Sequence, residues 1–404
     1  MKTEYMQQRV PFRTIFLSSL LVAGNLIGLG ILALPIKMGL SGFLPSLFDI
    51  LLICTIMLIS AFVIAIRLAP DKKNFDIPSF FHQELGTIGR WLAIICNLIL
   101  LYGVLVAYLS VIASMLLLLL PIKISHIWVT IAYFFIVTSL IMFGRDILKR
   151  GNAILLASIF ICFLILVQSS TADFNPHLLT YVNWKFLPLG LPVAVFAFHF
   201  HNIIPTIANY VNHDTKATCK AIIIGVIIGL VMNLIWTLIV LGSLLPKAGV
   251  DSILDTFVHG LPATIPLTHL LHSGVFTTTA LIFPLLTVSA AYVANGTGLF
   301  GFIKDMTYTY LKTENNLLIG CLAFIPPLVI AIIYPQIFLS AIDIVGGVGE
   351  TILFIVLPGI ILTRMAYKKS SILSFIGYLM VGIGLFIFLF LLSQKIGLVH
   401  LAPV

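Results

Sequence analysis

Charge is what this chain has least of. Of its 404 residues only 9% are charged, whereas 60% are hydrophobic; a soluble domain carries about 25% charged residues. No soluble fold can hide so much apolar surface, so the relevant solvent is lipid, and the rule of roughly one domain per 150 residues does not apply. Acids are scarcer than bases, 14 against 22, and only Asp49, Asp343 and Glu350 fall inside apolar runs. A net charge of +8 could suit an anionic partner. The basic residues lie in short stretches between apolar runs, however, and no nucleic-acid partner is expected. The five cysteines, Cys54, Cys96, Cys162, Cys219 and Cys321, stand singly, without a CxxC or a metal-like cluster. They read as small apolar residues, and neither a metal nor a cofactor is expected. Alternation at period two is missing, which argues against a membrane barrel. No cleavable signal stands apart from the first apolar run, which is itself the insertion signal.

What is present is a series of apolar runs, each about the 20 residues that a helical span requires. There are eleven, centred near Ile27, Ile56, Leu105, Phe134, Phe160, Phe198, Leu230, Val288, Pro326, Thr351 and Leu385. Lysine and arginine set the orientation. With the N-terminus in the cytoplasm, inner segments hold 17 basic residues; outer segments hold Lys37, Lys123, Lys185, Lys247 and Lys395, and 17 plus 5 accounts for all 22. The expected protein is therefore an all-α, multi-pass plasma-membrane protein with its N-terminus inside and its C-terminus outside (a bacterial inner membrane, if the source is bacterial). Residues 1–404 form one transmembrane unit. Two connections exceed simple turns. Asp71 to Gly89, with Phe75, Ile77, Phe80 and Phe81, reads as a partly amphipathic inner segment. Leu245 to Ser273 lies outside and is expected to carry a short helix near Ile253 to Val258, serving as a lid or as a plain connection.

The first run holds Ala23-Gly24-Asn25-Leu26-Ile27-Gly28-Leu29-Gly30, ending in Leu34-Pro35. Each glycine in a helix interior costs roughly 1 kcal/mol relative to alanine, so this helix is expected to open. Opened backbone inside a membrane is tolerated only where protein covers it or a cavity solvates it. The sixth run contains Phe198-His199-Phe200-His201-Asn202 followed by Pro205. Pro205 lacks an N–H and clashes with the carbonyl of His201, which predicts a second break at His199 to Asn202. The two are five places apart in the order of spans, an odd offset, so they cross in opposite directions. Interrupted helices at matching places in two inverted halves point to a transporter binding site near the bilayer midplane. The halves would cover about 13–170 and 187–365, with an extra helix at about 371–393.

Here a resemblance enters. Gly24-Asn25-Leu26-Ile27-Gly28-Leu29-Gly30-Ile31-Leu32-Ala33-Leu34-Pro35 resembles the first-span signature of the bacterial aromatic amino acid permeases. These are the tyrosine and tryptophan transporters of the amino acid–polyamine–organocation superfamily. Phe198-His199-Phe200-His201 with Pro205 is similar to the family's sixth-span Phe-Gly-Phe-His…Pro, and Thr297-Gly298-Leu299-Phe300-Gly301-Phe302 resembles its eighth-span motif. The Pro-rich tenth span, with Pro335 and Pro358, fits as well. His199 stands where the family usually has glycine, and Gly301 where it usually has aspartate. The resemblance implies a leucine-transporter-like fold, a five-plus-five inverted repeat with one further helix, and secondary active import of tyrosine or tryptophan. Another neutral amino acid is the alternative substrate.

An amino acid zwitterion needs donors for its carboxylate and acceptors for its ammonium. Half-helix N-termini supply the former and C-terminal carbonyls the latter. Backbone amides of Asn25, Ile27, Gly28, Leu29 and Gly30 are expected to hold the carboxylate, and carbonyls near Ala23, Gly24 and Phe198 the ammonium. Phe198, Phe200 and Tyr102 are candidates for packing a ring. His201 is a candidate for bonding a phenol or indole or for sensing pH, and His199 for direct contact with the ligand. The Gly24-xxx-Gly28 spacing is also a common helix-packing pattern. Glu350 and Asp343, seven apart, are candidates for coupling and gating. An acid as deep as Glu350 can carry a proton, because a bare carboxylate is poorly solvated there. Gly346, Gly347 and Gly349 read as close packing or as a hinge. Protons are the expected coupling ion, with sodium, held near Thr287 and Ser289, the lesser alternative. An enzyme built on His199 and His201 is the rival class, but i,i+2 histidines point to different helix faces. A channel would need a charged ring or a repeated filter. The sequence gives no oligomeric state.

Overall fold

In lipid a segment must satisfy its own backbone groups, and this chain does so with helices. The computed structural model describes residues 10–68, 77–119, 124–143, 145–171, 173–247, 249–271, 273–367, 369–399 and 401, with backbone alone over 145–153. Outside that description fall Lys2, Arg9, Lys72, Lys73, Lys123, Lys368, Asp71 and Phe75, and with them part of the orientation count and of the inner amphipathic segment.

The elements are α1 (Phe12–Leu26), α2 (Gly30–Gly39), α3 (Phe43–Arg67), α4 (Ile77–Leu119), α5 (His126–Phe143), α6 (Arg145–Ser169), α7 (Leu187–Ala197), α8 (Ile204–Tyr210) and α9 (Thr215–Ser243). They continue with α10 (Ile253–Val258), α11 (Thr264–Leu270), α12 (Gly274–Met306), α13 (Asn316–Ile333), α14 (Phe338–Ile344), α15 (Leu357–Ala366) and α16 (Ser371–Lys395). A π-helical stretch, Val345–Val356, joins α14 to α15. Among the described residues nine helical stretches are long and apolar enough to cross a membrane, and the bent pair α1–α2 makes a tenth. The run around Phe160 contributes the shorter apolar stretch Ile154–Ser169. The protein is a multi-pass helical membrane protein.

Close packing of α1 on α9 sets the centre of the bundle. A Cβ on Gly225 would lie 2.5 Å from the Ser19 carbonyl, and one on Gly229 would lie 2.5 Å from the Leu26 side chain. Small residues four apart let the two backbones approach. The glycines of the π-helical stretch pack in the same way, since a Cβ on Gly346 would collide with the Pro192 carbonyl. In α4, Gly86 adopts φ 75° and separates a short leading helix, which buries Phe80 and Phe81, from the long span behind it. Arg67 clamps Glu84 of that leading helix through two hydrogen bonds, at 2.9 and 2.8 Å.

At the opposite end, α10 forms where the sequence predicts a short helix. Ser252 caps it by accepting from the Asp255 amide. The segment folds onto α2, with the Ala263 amide donating to the Leu32 carbonyl at 3.0 Å. One expectation is corrected here. Lys37 is not an outer-loop residue but belongs to α2, where it is buried. The helix runs on past Pro35, which stands inside it. Pro335 likewise falls in the turn before α14 rather than within the span.

Candidate functional site

The three glycines open the first span as their cost predicts. Helix α1 stops at Leu26, α2 starts at Gly30, and the two axes differ by 49°. The Ile27 amide closes on the Ala23 carbonyl at 3.1 Å. Among the described residues, the amides of Gly28, Leu29 and Gly30 make no backbone bond outside the helices, and the carbonyls of Gly24 and Asn25 accept none there. The Leu26 carbonyl is covered instead by Asn233 of α9, whose Nδ2 donates to it at 3.2 Å and to the Gly229 carbonyl at 2.8 Å.

The sixth span opens beside it. Helix α7 ends at Ala197, Phe198 to Phe200 leave the helix, and a 3₁₀ turn, His201–Ile203, leads into α8. Pro205 sits in the first turn of α8, where its missing N–H is no loss. The two openings touch. A Cβ on Gly30 would stand 2.6 Å from Cα of Ala197, so only glycine allows this approach. Nδ2 of Asn25 donates to Oδ1 of Asn202 at 3.0 Å, tying one break to the other.

A cavity of about 330 Å³ lies against both. Its walls are Gly24 to Gly30 of the first break, Ala197 and His199 of the second, Val104 and Tyr108 of α4, Leu155, Leu156 and Ile159 of α6, and Thr287, Ala290, Ala291, Ala294 and Asn295 of α12. It continues along Leu20, Leu21, Thr206 and Tyr210, toward the end of the bundle where α1 begins and α8 ends. Of the residues singled out from sequence, Gly24, Asn25, Ile27, Gly28, Leu29, Gly30 and His199 line it. Ala23, Phe198, Phe200 and His201 are buried behind the wall. The Ala23 carbonyl is already taken by Ile27. His201 stacks between Phe200 and Phe354, at ring separations of 4.9 and 4.5 Å. Tyr102 faces elsewhere, donating to the Leu322 carbonyl at 2.7 Å. Sequence reasoning missed Tyr108, Asn233 and Asn295. The two asparagines carried a usable signal, since each is a polar residue at membrane depth.

Both span-ten acids reach the broken helices. Glu350 is fully buried, and its Oε1 lies 3.2 Å from Nδ1 of His199. Among the described residues neither Glu350 oxygen receives a hydrogen bond. The His199 ring also stacks on Phe354 at 5.2 Å. Asp343 pairs with Lys37 of α2 at 2.6 Å, with both side chains at most 10% exposed. The Phe257 ring of α10 covers Lys37 at 4.6 Å. That pair lies toward the end of the bundle opposite the one toward which the cavity runs. No cluster of metal-binding side chains occurs among the described residues.

A multi-pass helical protein with a polar-walled cavity where two interrupted helices meet has the form of a membrane transporter. The chain belongs to the tryptophan/tyrosine permease family, which it matches over residues 12–400. It is 28% identical over 348 residues to the tyrosine-specific transport system 1 of Haemophilus influenzae, covering 84% of this chain and 86% of that protein. It is likewise 28% identical to the tyrosine-specific transport system 2 of that organism, over 350 residues (82% and 83%). The low affinity tryptophan permease of Proteus vulgaris is 24% identical over 382 residues, or 88% of each chain. Membership makes the protein a permease rather than an enzyme.

Proposed function

We propose that the protein imports an aromatic amino acid, tyrosine or tryptophan, together with protons, by alternating access. The observation that carries this reading is the cavity with unpaired amides of Gly28, Leu29 and Gly30 and unpaired carbonyls of Gly24 and Asn25 on one wall. Donors and acceptors so close together suit a zwitterion, whose carboxylate takes the amides and whose ammonium takes the carbonyls. The apolar part of the wall, from Val104, Leu155, Leu156 and the alanines of α12, suits a ring. The names of the relatives, tyrosine-specific and tryptophan-specific, support an aromatic substrate.

The same reading takes the chain as eleven spans with the N-terminus inside, in two inverted halves of five and one added helix. On that orientation the cavity opens to the cytoplasm, and the Lys37–Asp343 pair with Phe257 above it is the closed outer gate. Glu350 carries the coupling proton, with His199 between it and the cavity. Sodium is the alternative ion.

The test is uptake of radiolabelled tyrosine into proteoliposomes under an imposed proton gradient, without sodium. Saturable accumulation that unlabelled tyrosine and tryptophan suppress is expected. Accumulation that requires sodium and ignores the proton gradient overturns the coupling. Failure of tyrosine, tryptophan and phenylalanine alike to compete overturns the aromatic assignment.

A further inference from the structure

The part of the cavity wall that α4 and α12 supply carries a polar pair that the transport cycle above leaves unused. Asn295 of α12 and Tyr108 of α4 both line the cavity. Nδ2 of Asn295 donates to the Tyr108 hydroxyl at 3.2 Å and to the Ala291 carbonyl at 3.0 Å. Among the described residues its Oδ1 accepts nothing, although the residue is only 7% exposed. A buried acceptor without a donor costs free energy, so a partner from the ligand would be favourable.

The surroundings say which part of the ligand that is. On α12, Thr287, Ala290, Ala291, Ala294 and Asn295 recur at helical spacing and share one face. The three alanines leave a shallow apolar surface beside the amide, which suits the flat face of a ring. The pair is neutral, whereas the charged ends of an amino acid are served by the broken helices. Behind it the wall is braced, with the hydroxyls of Tyr133 and Ser289 3.0 Å apart and those of Thr138 and Tyr292 3.1 Å apart. A braced wall does not shift to satisfy itself.

We infer that Asn295 and Tyr108 read the far edge of the substrate's ring, so that the site takes rings bearing an O–H or N–H donor, a phenol or an indole, and disfavours a bare phenyl. Asn295 Oδ1 accepts that donor, and the Tyr108 hydroxyl orients the amide by accepting from its Nδ2. This rests on the aromatic amino acid reading. A phenyl ring would fill the same space and leave Oδ1 unpaired, which is how a site built for a hydrogen bond rejects the analogue lacking it.

The experiment is displacement of radiolabelled tyrosine from the purified protein by tyrosine, tryptophan and phenylalanine, in the wild type, Asn295→Leu and Tyr108→Phe. In the wild type, phenylalanine is expected to bind about tenfold more weakly than the other two. Asn295→Leu should narrow that ratio to about threefold or less, with the melting temperature of the unliganded protein as the check on folding. Tyr108→Phe keeps the ring and its packing, so it carries the test if Asn295→Leu does not fold; a smaller narrowing is expected. Equal binding of all three by the wild type overturns the inference and leaves the aromatic assignment standing. So does an equal loss for all three in Asn295→Leu, which would mark Asn295 as an ammonium ligand or a purely structural residue. Binding of none of the three overturns the reading beneath it and this inference with it.

Discussion

At the scale of single residues, the pairing of His199 with Glu350 says most about how the protein works. The family usually has glycine at the position of His199, and here the imidazole has a specific neighbour, a carboxylate at 3.2 Å that is fully buried. Removing the charge of Glu350 while keeping its shape separates coupling from binding. Glu350→Gln is expected to retain exchange of internal for external tyrosine and to lose accumulation driven by a proton gradient, by about tenfold or more. Exchange and gradient-driven uptake in the same liposomes measure the two. Equal loss of both would place Glu350 in the fold rather than in the coupling. His199→Gly, which restores the usual family residue, is expected to slow coupled uptake without abolishing exchange. Nothing in the structure explains Gly301. Glu350 was legible as a candidate because acids are so scarce within spans. Its partner was not, because the contact joins residues 151 positions apart, in different spans.

The elements that matter are the two openings, and these were readable for different reasons. Glycine spacing announced the first and Pro205 the second, since both act through local backbone energetics. What covers the exposed groups is not local. Asn233 reaches the Leu26 carbonyl from 207 residues away, and Asn25 reaches Asn202 from 177 away. Sequence alone could mark these asparagines as costly in a membrane but could not pair them. The same limit applies to Phe198, Phe200 and His201, which were grouped with the site because they lie at the break and which the fold turns into the core. Asn233→Leu leaves the Leu26 carbonyl buried and unpaired, which is expected to cost about 1–3 kcal/mol. A lower melting temperature of the purified protein is the readout, and an unchanged value would show that the carbonyl finds another donor. Gly30→Val should separate the two breaks, because its Cβ would meet the Ala197 backbone. Loss of tyrosine binding with the helix content of the wild type is the expected result, seen by binding assay and circular dichroism.

At the scale of the whole molecule, the bundle is hollowed toward one end and holds the buried Lys37–Asp343 pair toward the other. The all-helical, multi-pass architecture was legible from composition and run length, because lipid leaves helices and closed barrels as the only spanning choices. The Lys37–Asp343 pair was not, since Lys37 looks like a loop residue until the bent first span carries it inward to Asp343. Removing one partner of a buried ion pair typically costs about 3–5 kcal/mol. Lys37→Met is therefore expected to loosen that end of the bundle and to reduce uptake, and the exchanged pair Lys37→Asp with Asp343→Lys to recover part of it. Labelling of a single cysteine placed at Ala290, from each side of the membrane, reports which end is open. The account as a whole turns on the peptide groups of the broken helices holding the charged ends of an amino acid. Gly28 offers the most direct trial, because only the Asn25 carbonyl, at 3.3 Å, comes near a Cβ placed there. That Cβ would press on the carbonyl but would meet no core side chain within 4 Å. The decisive measurement is equilibrium binding of tyrosine to purified wild-type and Gly28→Leu protein, with tyrosine methyl ester, which lacks the carboxylate, as a competitor. The account predicts that the variant binds at least about tenfold more weakly at unchanged melting temperature, and that the ester competes poorly with tyrosine for the wild type. Wild-type affinity in Gly28→Leu, with the ester competing as well as tyrosine itself, would contradict it.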